Sequence, residues 1–351
     1  MKVELIWMNS KELTTRIDTL DYLRGFALLG IILVNILPLL SVRLPLQGTG
    51  DAVYWRFLYL FVEGRFYTIF TFLFGVGFYI FISRAKAKGK NGYVLFLRRI
   101  VVLFLLGLVH VQFHPGEALT IYAVCGLIII PFYRANKVMN LVIGLGMLLV
   151  ISLYAEKIFM VVPLMMLGIA AGQFRLFERI LNQWKVTTVF TGVMFVLSAA
   201  GLVYQYLHAP FAFGLGDVSR ETQQFLRIGI MIGPIVSAFY VGLLLVLLNF
   251  PFIRRILSPL KSYGRMALTN YVSQTALILL AGKVLDLSNQ LTYIQSLYLC
   301  VAIYVIQLVF STIWLQFFKF GPLEWGWRML TYLEIPPMRK PPSSKKVTRK
   351  E

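Results

Sequence analysis

Charged residues are scarce in this chain, and acidic residues are the scarcest. Only 14% of the 351 residues are charged, with 15 Asp and Glu against 34 Lys and Arg, whereas a soluble domain is about 25% charged. Cysteine is nearly absent, and both copies, Cys125 and Cys300, fall inside apolar stretches. These scarcities argue against a soluble domain, a structural disulfide and a cysteine-based metal cluster.

Long hydrophobic runs take the place of the missing charge. Hydrophobic residues make up 58% of the chain and aromatic residues 15%. A membrane-spanning helix needs about 20 apolar residues, so we predict an all-α, polytopic membrane bundle of about ten transmembrane helices. The predicted spans are 20–41, 57–82, 94–113, 118–133, 137–154, 158–174, 186–207, 228–250, 265–282 and 293–318.

The net charge of +19 could indicate a nucleic-acid partner, but the basic residues lie in short loops between apolar spans. The positive-inside rule explains such loops better. With both termini in the cytoplasm, 27 Lys and Arg fall on the inner side and 7 on the outer side. We therefore predict a multi-pass protein of the bacterial plasma membrane, with the lipid bilayer and no nucleic acid as its partner. No cleavable signal peptide is evident, since the first twenty residues are polar.

The chain divides into one integral domain with two short ends. Residues 1–19 are predicted to form a cytoplasmic N-terminal segment, 20–330 the helical domain and 331–351 a basic, disordered cytoplasmic tail. Small-residue sites such as Gly75-Val-Gly77 allow close helix packing and leave a homodimer open.

A polar stripe runs along the first span. Asp21, Arg24 and Asn35 fall within about 60° of one helix face, and Arg24 and Asn35 are separated by roughly 16 Å along the axis. Ionisable groups inside a membrane normally face the bundle interior or a wet cavity. The stripe therefore favours a functional cavity. The alternative is an interfacial Asp–Arg pair that only seats the helix end.

A candidate base lies at the outer end of the third span. His110 is followed seven residues later by Glu117, across a His-Pro-Gly turn. A histidine oriented by a carboxylate is what acyl or group transfer needs. Arg99, eleven residues before His110, shares its helix face and puts a cation at the inner end. The alternative is that His110 and Glu117 are solvated interfacial residues.

Two further polar groups lie near the C-terminal end of the domain. In the sequence 263–271, Arg265 at the inner end of span nine suits a phosphate. Asn270 and Gln274 would line one face of that span, although polar side chains there can simply hydrogen-bond between helices. After the last span, Gly-Pro-Leu-Glu-Trp-Gly-Trp-Arg combines a helix stop with Glu324, Trp325 and Arg328. An aromatic interfacial belt is the alternative there.

Together these stretches resemble the YeiB family of bacterial membrane proteins, whose domain has no known function. The matching residues are spread from position 20 to 328, and the two C-terminal motifs are the most specific. Glu117 stands where the family is expected to carry an aspartate, and the carboxylate is kept. The matching pieces are Leu20-Asp21-Tyr22-Leu23-Arg24-Gly25 with Asn35, Phe72-Leu73-Phe74-Gly75, His110 with 116–119 and Tyr122-Ala123, and the motifs 264–271 and 320–325.

The family is distantly similar to transmembrane acyltransferases of the acyltransferase-3 and heparan-glucosaminide acetyltransferase type. This resemblance implies transfer of an acyl group from cytoplasmic acyl-CoA to an extracytoplasmic acceptor. The expected acceptor partner is a small molecule or a glycan, with the hydroxyl or amine of a sugar or envelope component receiving the acyl group. The resemblance also implies a basic-x10-His motif at Arg99 and His110, whereas Asn35 stands where the acyltransferase-3 group usually has a histidine. No metal is predicted.

The resulting hypothesis gives each candidate residue a role. The predicted catalytic group is His110, Glu117 and Asn35, and the predicted acyl-CoA site is Arg24, Arg99, Arg265 and Arg328. The predicted substrate cavity is lined by Asp21, Glu63, Arg65, Tyr122, Asn270, Gln274, Glu324 and Trp325. The alternatives are a transporter for a small anionic or amphiphilic solute, whose path the same stripes would line, and a sensor that binds a lipid or sugar.

Overall fold

The protein is a bundle of α-helices, seen here in a computed structural model that describes residues 17–179, 183–209 and 220–340. The first helices are α1 (Asp18–Leu39), α2 (Gly50–Phe61), α3 (Arg65–Ala87), α4 (Gly92–His110), α5 (Leu119–Ile128), α6 (Lys137–Tyr154) and α7 (Val161–Gln173). They are followed by α8 (Leu176–Arg179), α9 (Trp184–Leu207), α10 (Arg220–Leu247), α11 (Pro251–Ile256), α12 (Ser258–Arg265), α13 (Ala267–Val284), α14 (Tyr293–Phe317) and α15 (Pro322–Tyr332).

The predicted polytopic bundle is confirmed. Among the described residues, seven stretches are long and apolar enough to cross a membrane: α1, α2 with α3, α4, α6, α9, α10 and α14. The other three predicted spans correspond to α5 and α7, which have 10 and 13 residues, and to the more polar α13. The short α5 continues into a single 3-10 turn, Ile130–Tyr133.

The second predicted span differs from the structure at its beginning. The predicted span was a single helix over residues 57–82. In the structure, α2 ends at Phe61 and α3 begins at Arg65. Gly64 lies between them with a φ of 76°, a left-handed conformation that suits glycine. The break leaves Glu63 at the junction of two helices.

The centre of the bundle depends on close backbone contacts. Helix α1 crosses α12 where a Cβ on Gly264 would lie 1.9 Å from the Asp21 carbonyl oxygen. Helix α3 packs along α7, and a Cβ on Gly75 would lie 2.1 Å from the Met165 carbonyl oxygen. Gly75 is thus used for packing within the chain.

Polar side chains join α13 to its neighbours. Asn270 donates to the Tyr263 carbonyl oxygen and to Ser311 Oγ, both at 2.9 Å. Gln274 donates to Tyr263 Oη at 2.6 Å, and that hydroxyl donates to Gln307 at 3.0 Å. Both side chains are buried, so these bonds satisfy N–H and O–H donors that would be costly in lipid.

The segment that follows α15 is hydrogen-bonded to the residues at the end of α14. Phe318 and Arg339 form an isolated antiparallel bridge, and Lys319 N donates to the Met338 carbonyl oxygen at 2.8 Å. The predicted disordered tail began at residue 331, so its first ten residues differ from the prediction. Residues 1–16 and 341–351 lie outside the described part of the chain.

Candidate functional site

One large cavity runs through the middle of the helical domain. Its volume is about 710 Å³, and its walls come from α1, α3, α4, α5, α12, α13 and α15 and from loops next to them. The residues of the predicted stripe, Asp21, Arg24 and Asn35, all line it. The cavity has a basic end, near the side predicted to be cytoplasmic, and an opposite end near Asn35.

The basic end brings together cationic side chains from five segments of the chain. The four predicted arginines all line this end of the cavity, and Asp21 and Glu324 are the acidic residues that line it with them. Because cations exceed anions there, the basic end is suited to an anionic group. The cations are Arg24, Arg84, Lys88, Arg99, Arg265 and Arg328.

Aromatic rings hold two of these arginines in place. The Arg99 guanidinium lies 3.6 Å from the centre of the Trp327 ring, within the range of a cation–π contact. The Trp327 indole also donates to the Arg99 carbonyl oxygen at 2.8 Å. Arg328 lies 5.0 Å from the centre of the Tyr332 ring. Helix α15 therefore contributes Arg328 to the basic end and holds Arg99 in place through Trp327.

Glu324 connects the two C-terminal sequence motifs. Its carboxylate accepts hydrogen bonds from Leu268 N at 2.7 Å, Thr269 N at 3.1 Å and Thr269 Oγ1 at 2.5 Å, and so caps the beginning of α13. In return, Leu323 N donates to Thr269 Oγ1 at 3.1 Å. Burial raises the pKa of Glu324, and the hydrogen bonds from Thr269 oppose this. The carboxylate thus positions α15 against α13.

The opposite end of the cavity is lined by Asn35, Glu63 and Lys157. Lys157 comes from the loop between α6 and α7 and forms an ion pair with Glu63 at the α2–α3 break. Burial lowers the pKa of Lys157 to about 8. This end therefore carries an amide, a carboxylate and an amine, in contrast to the arginine-rich basic end.

The predicted base and its carboxylate do lie together. His110 Nδ1 is 3.5 Å from Glu117 Oε2, which is long for a hydrogen bond. The other ring nitrogen, Nε2, lies 3.0 Å from Thr275 Oγ1 on α13. Both residues are buried, and neither lines the cavity. The prediction of a substrate-facing pair thus differs from the structure, because other side chains cover His110.

Glu117 has a second role that the sequence did not show. It caps α5 by accepting from Leu119 N at 2.5 Å, Thr120 N at 2.7 Å and Thr120 Oγ1. Burial raises the pKa of Glu117, but the neighbouring His110 imidazole and these hydrogen bonds outweigh it, so the pKa lies below its ordinary value. A carboxylate that stays ionised favours an ordered, correctly oriented imidazole.

Four predicted cavity residues lie elsewhere. Asn270 and Gln274 face the neighbouring helices, where they form the hydrogen bonds described above. Arg65 is 1% exposed and donates to the Glu63 and Gly229 carbonyl oxygens and to Gln205 Oε1 at 2.7–3.0 Å. Trp325 donates to the Pro336 carbonyl oxygen at 2.9 Å. Of the predicted lining, Asp21, Glu63, Tyr122 and Glu324 do line the cavity.

The sequence interpretation missed several side chains of the cavity wall. Arg84 and Lys88 appeared only as positive-inside residues, although their spacing of four puts them on one face of α3. Lys157 was counted only as an outer charge. Tyr271 belongs to a recognised motif, but no role followed from it. Trp327 was grouped with an aromatic belt, and its contact with Arg99 depends on tertiary packing.

Comparison with known proteins divides the chain into two matching halves. Residues 16–178 match the family model described as heparan-alpha-glucosaminide N-acetyltransferase, catalytic. Residues 171–334 match a protein family of unknown function, DUF418. The first match contains Arg24, Asn35, Arg99, His110 and Glu117, so the stripe, the base and its carboxylate all belong to the half that resembles an acetyltransferase.

Whole-chain relatives give the family. An uncharacterised 39.9 kDa protein from Bacillus acidopullulyticus, described as lying in an amylase 3′ region, is 59% identical over 93% of this chain and 96% of its own length. The uncharacterised protein YeiB of Escherichia coli is 27% identical over 89% of this chain and 95% of its own length. This chain belongs to the YeiB family. The uncharacterised protein YxaH of Bacillus subtilis is also 27% identical, over 93% of this chain and 96% of its own length.

Membership of the YeiB family agrees with the geometry of the two C-terminal motifs. The motif 264–271 and the motif 320–325 pair through Glu324 and Thr269 and are thus one structural unit. Both lie within residues 171–334. The YeiB family relatives carry no described activity, so the chemistry of the cavity has to be argued from its own residues.

Proposed function

We propose that this YeiB family protein transfers an acyl group from cytoplasmic acyl-CoA to a hydroxyl or amine acceptor on the outer side of the bacterial plasma membrane. One observation carries the proposal: a single cavity links a cluster of cations to an end with Asn35, Glu63 and Lys157. The match of residues 16–178 to an acetyltransferase catalytic model supports it.

The basic end would hold the phosphates of the donor. Arg24, Arg99, Arg265 and Arg328 line it, and guanidinium groups bind phosphate through paired hydrogen bonds. Two of them are pre-positioned by the Trp327 and Tyr332 rings. Pre-positioning lowers the conformational entropy that binding would otherwise cost.

The middle of the cavity would hold the arm and acyl group of the donor. Its lining there is apolar or aromatic, with Phe70, Leu73, Phe74, Ile121 and Tyr122 among the wall residues. Along α1, Arg24 and Asn35 are about 16 Å apart. A donor whose phosphates lie at Arg24 would therefore extend its thioester towards the end that carries Asn35.

The chemistry assigned to the outer half is nucleophilic acyl transfer. The acceptor oxygen or nitrogen forms a bond to the thioester carbonyl carbon, the carbon–sulfur bond breaks, and coenzyme A leaves as the thiol. His110 takes the acceptor proton and returns it to the leaving thiolate, Glu117 orients the imidazole, and the Asn35 amide donates to the developing oxyanion. His110 and Glu117 are 3.5 Å apart, close enough for this orienting role.

Donor binding is the first test. Acetyl-CoA and longer acyl-CoAs are titrated into the purified protein in detergent, with Arg99→Gln compared against Arg98→Gln. Arg98 is exposed and does not line the cavity, so it is a matched control. We expect about 10–100-fold weaker binding for Arg99→Gln alone, because a charge-assisted hydrogen bond contributes about 1.5–3 kcal/mol. Equal affinity in both variants, or no binding by the folded wild type, would contradict the donor site.

Turnover is tested in proteoliposomes supplied with labelled acyl-CoA inside and candidate acceptors outside. His110→Ala is expected to abolish transfer and leave donor binding unchanged, because the proposed base contacts the acceptor. Preserved transfer would remove His110 from the mechanism. Uptake of an anionic solute without acyl transfer would instead support the transporter alternative, which the same continuous cavity would also serve.

A further inference from the structure

His110 is beside the cavity but is not part of its wall. The side chain is buried, and both ring nitrogens face protein groups, Glu117 and Thr275. The cavity nevertheless reaches the neighbouring backbone, since Gly116, Ala118 and Leu119 line it. A base that stays covered cannot contact an acceptor, so the question is which side chain covers it.

Tyr271 contacts both His110 and the cavity, whereas His114, whose ring also packs against His110, does not line the cavity. The Tyr271 ring lines the cavity, and its centre lies 5.2 Å from the centre of the His110 ring at an interplanar angle of 62°. Tyr271 precedes Thr275 by one helical turn on α13, so the two side chains share a face that meets His110. The same helix thus holds one nitrogen of the imidazole and covers its ring.

The Tyr271 ring is buried, but its hydroxyl is held by one long hydrogen bond. Its hydroxyl accepts a hydrogen bond of 3.2 Å from Ala118 N, at the long end of the normal range. The ring borders a cavity of about 710 Å³, so there is space for it on the side away from His110. A rotation about the Tyr271 side-chain bonds would expose the imidazole without moving a helix.

We propose that Tyr271 is the gate between the cavity and His110, and that the imidazole meets an acceptor only when this ring turns aside. Tyr271 is a positioning residue in this scheme, because it acts through His110. The proposal rests on the proposed function for its chemical purpose. Its structural claim concerns access alone and can be tested without any turnover.

The test measures the reactivity of His110 towards diethyl pyrocarbonate, which carbethoxylates neutral imidazole. The purified full-length protein is labelled in detergent, and the modified histidine is located by tandem mass spectrometry. The partly exposed His208 serves as the internal reference. In the wild type and in Tyr271→Phe, His110 is expected to react much more slowly than His208. In Tyr271→Ala, His110 is expected to react at least about tenfold faster than in the wild type. In the wild type the reagent reaches His110 only after a local opening of the structure, and the alanine removes that requirement.

Tyr122→Ala is the matched control. Tyr122 is also a buried cavity tyrosine, but its hydroxyl pairs with Thr71 Oγ1 at 2.8 Å and its ring packs on aromatic residues of α3. Its removal is expected to widen the cavity and to leave the Tyr271 ring in place against His110. Equal labelling of His110 in Tyr122→Ala and Tyr271→Ala would overturn the proposal, as would fast labelling in the wild type or slow labelling in Tyr271→Ala.

A turnover measurement separates this proposal from the proposed function. If acyl transfer occurs, Tyr271→Phe is expected to retain it, because the ring is kept, whereas Tyr271→Ala admits water to His110 and shifts product from acylated acceptor towards hydrolysed acyl-CoA. Transfer that is lost equally in Tyr271→Phe would assign the effect to the hydroxyl and contradict a gate made by the ring. Absence of turnover in the wild type and in every variant would contradict the proposed function. The labelling result would still decide which side chain covers His110.

Discussion

The cap formed by Glu324 offers a sharp test of how the C-terminal half is assembled. The change is Glu324→Ala, with Glu324→Gln as the conservative variant. The carboxylate accepts from Leu268 N and Thr269 N at the beginning of α13, and both residues are 8% exposed. Removing the carboxylate therefore leaves two buried donors without an acceptor.

The expected cost follows from those two donors. A buried donor that loses its partner costs about 1–3 kcal/mol, so Glu324→Ala should lower the free energy of unfolding by about 2–6 kcal/mol. Glu324→Gln keeps a carbonyl oxygen at the same place and should cost only about 1–2 kcal/mol. The control is Glu334→Ala, whose partner Lys90 is 3.1 Å away in an ion pair that is 68% exposed on the glutamate side. Such a surface pair contributes about 0–1 kcal/mol.

The assay is thermal unfolding in detergent, read as the monodisperse fraction remaining after heating. An unfolding entropy of about 2.1 cal/mol/K per residue over 351 residues gives about 1.4 °C per kcal/mol. Glu324→Ala should therefore melt about 3–8 °C below the wild type, with Glu324→Gln between them. A melting temperature for Glu324→Ala equal to that of Glu334→Ala would refute the cap. Unchanged melting together with lost acyl transfer would instead give Glu324 a chemical role in the cavity.

Three further predictions concern other parts of the bundle. Gly264→Val should abolish folded protein, because its Cβ would clash with the Asp21 carbonyl oxygen at 1.9 Å, whereas Gly146→Ala, which has open space, should express normally on fluorescence size-exclusion chromatography. Arg65→Leu should lower the melting temperature by several degrees and leave the affinity for acyl-CoA unchanged, because Arg65 binds only protein acceptors; weaker binding at unchanged stability would contradict this. Burial lowers the pKa of His114 to about 4, so the folded state favours neutral imidazole, and stability should fall as pH drops from about 6.5 towards 4. His114→Gln should flatten that part of the melting curve against pH, and an unchanged slope would contradict the assignment.

Hydrophobic composition and helix geometry were enough to predict the membrane bundle and the stripe of Asp21, Arg24 and Asn35. Apolar runs of about 20 residues have few alternatives in lipid, because the helix satisfies its own backbone. Charged groups are costly there, so a stripe of them on one face has to meet a polar interior. All three stripe residues line the cavity for this reason.

The sequence could not separate polar side chains that line the cavity from those that join helices. Asn270 and Arg65 face away from lipid, as Arg24 does. They nevertheless hydrogen-bond to neighbouring helices and loops and do not line the cavity. Helical periodicity fixes the direction of a side chain from its own axis, but not the identity of the element that it meets. That identity depends on packing between distant segments, such as the crossing of α1 and α12 at Gly264.

The same reason explains why the partners of the predicted site came only from the tertiary structure. The sequence alone determined that His110 and Glu117 lie close to each other, because a short turn joins them. It did not determine that Thr275 would hold the imidazole, that Tyr271 would cover it or that Lys157 would pair with Glu63 at the far end of the cavity. These residues are separated from their partners by long stretches of chain, and only the packing of the helices brings them together.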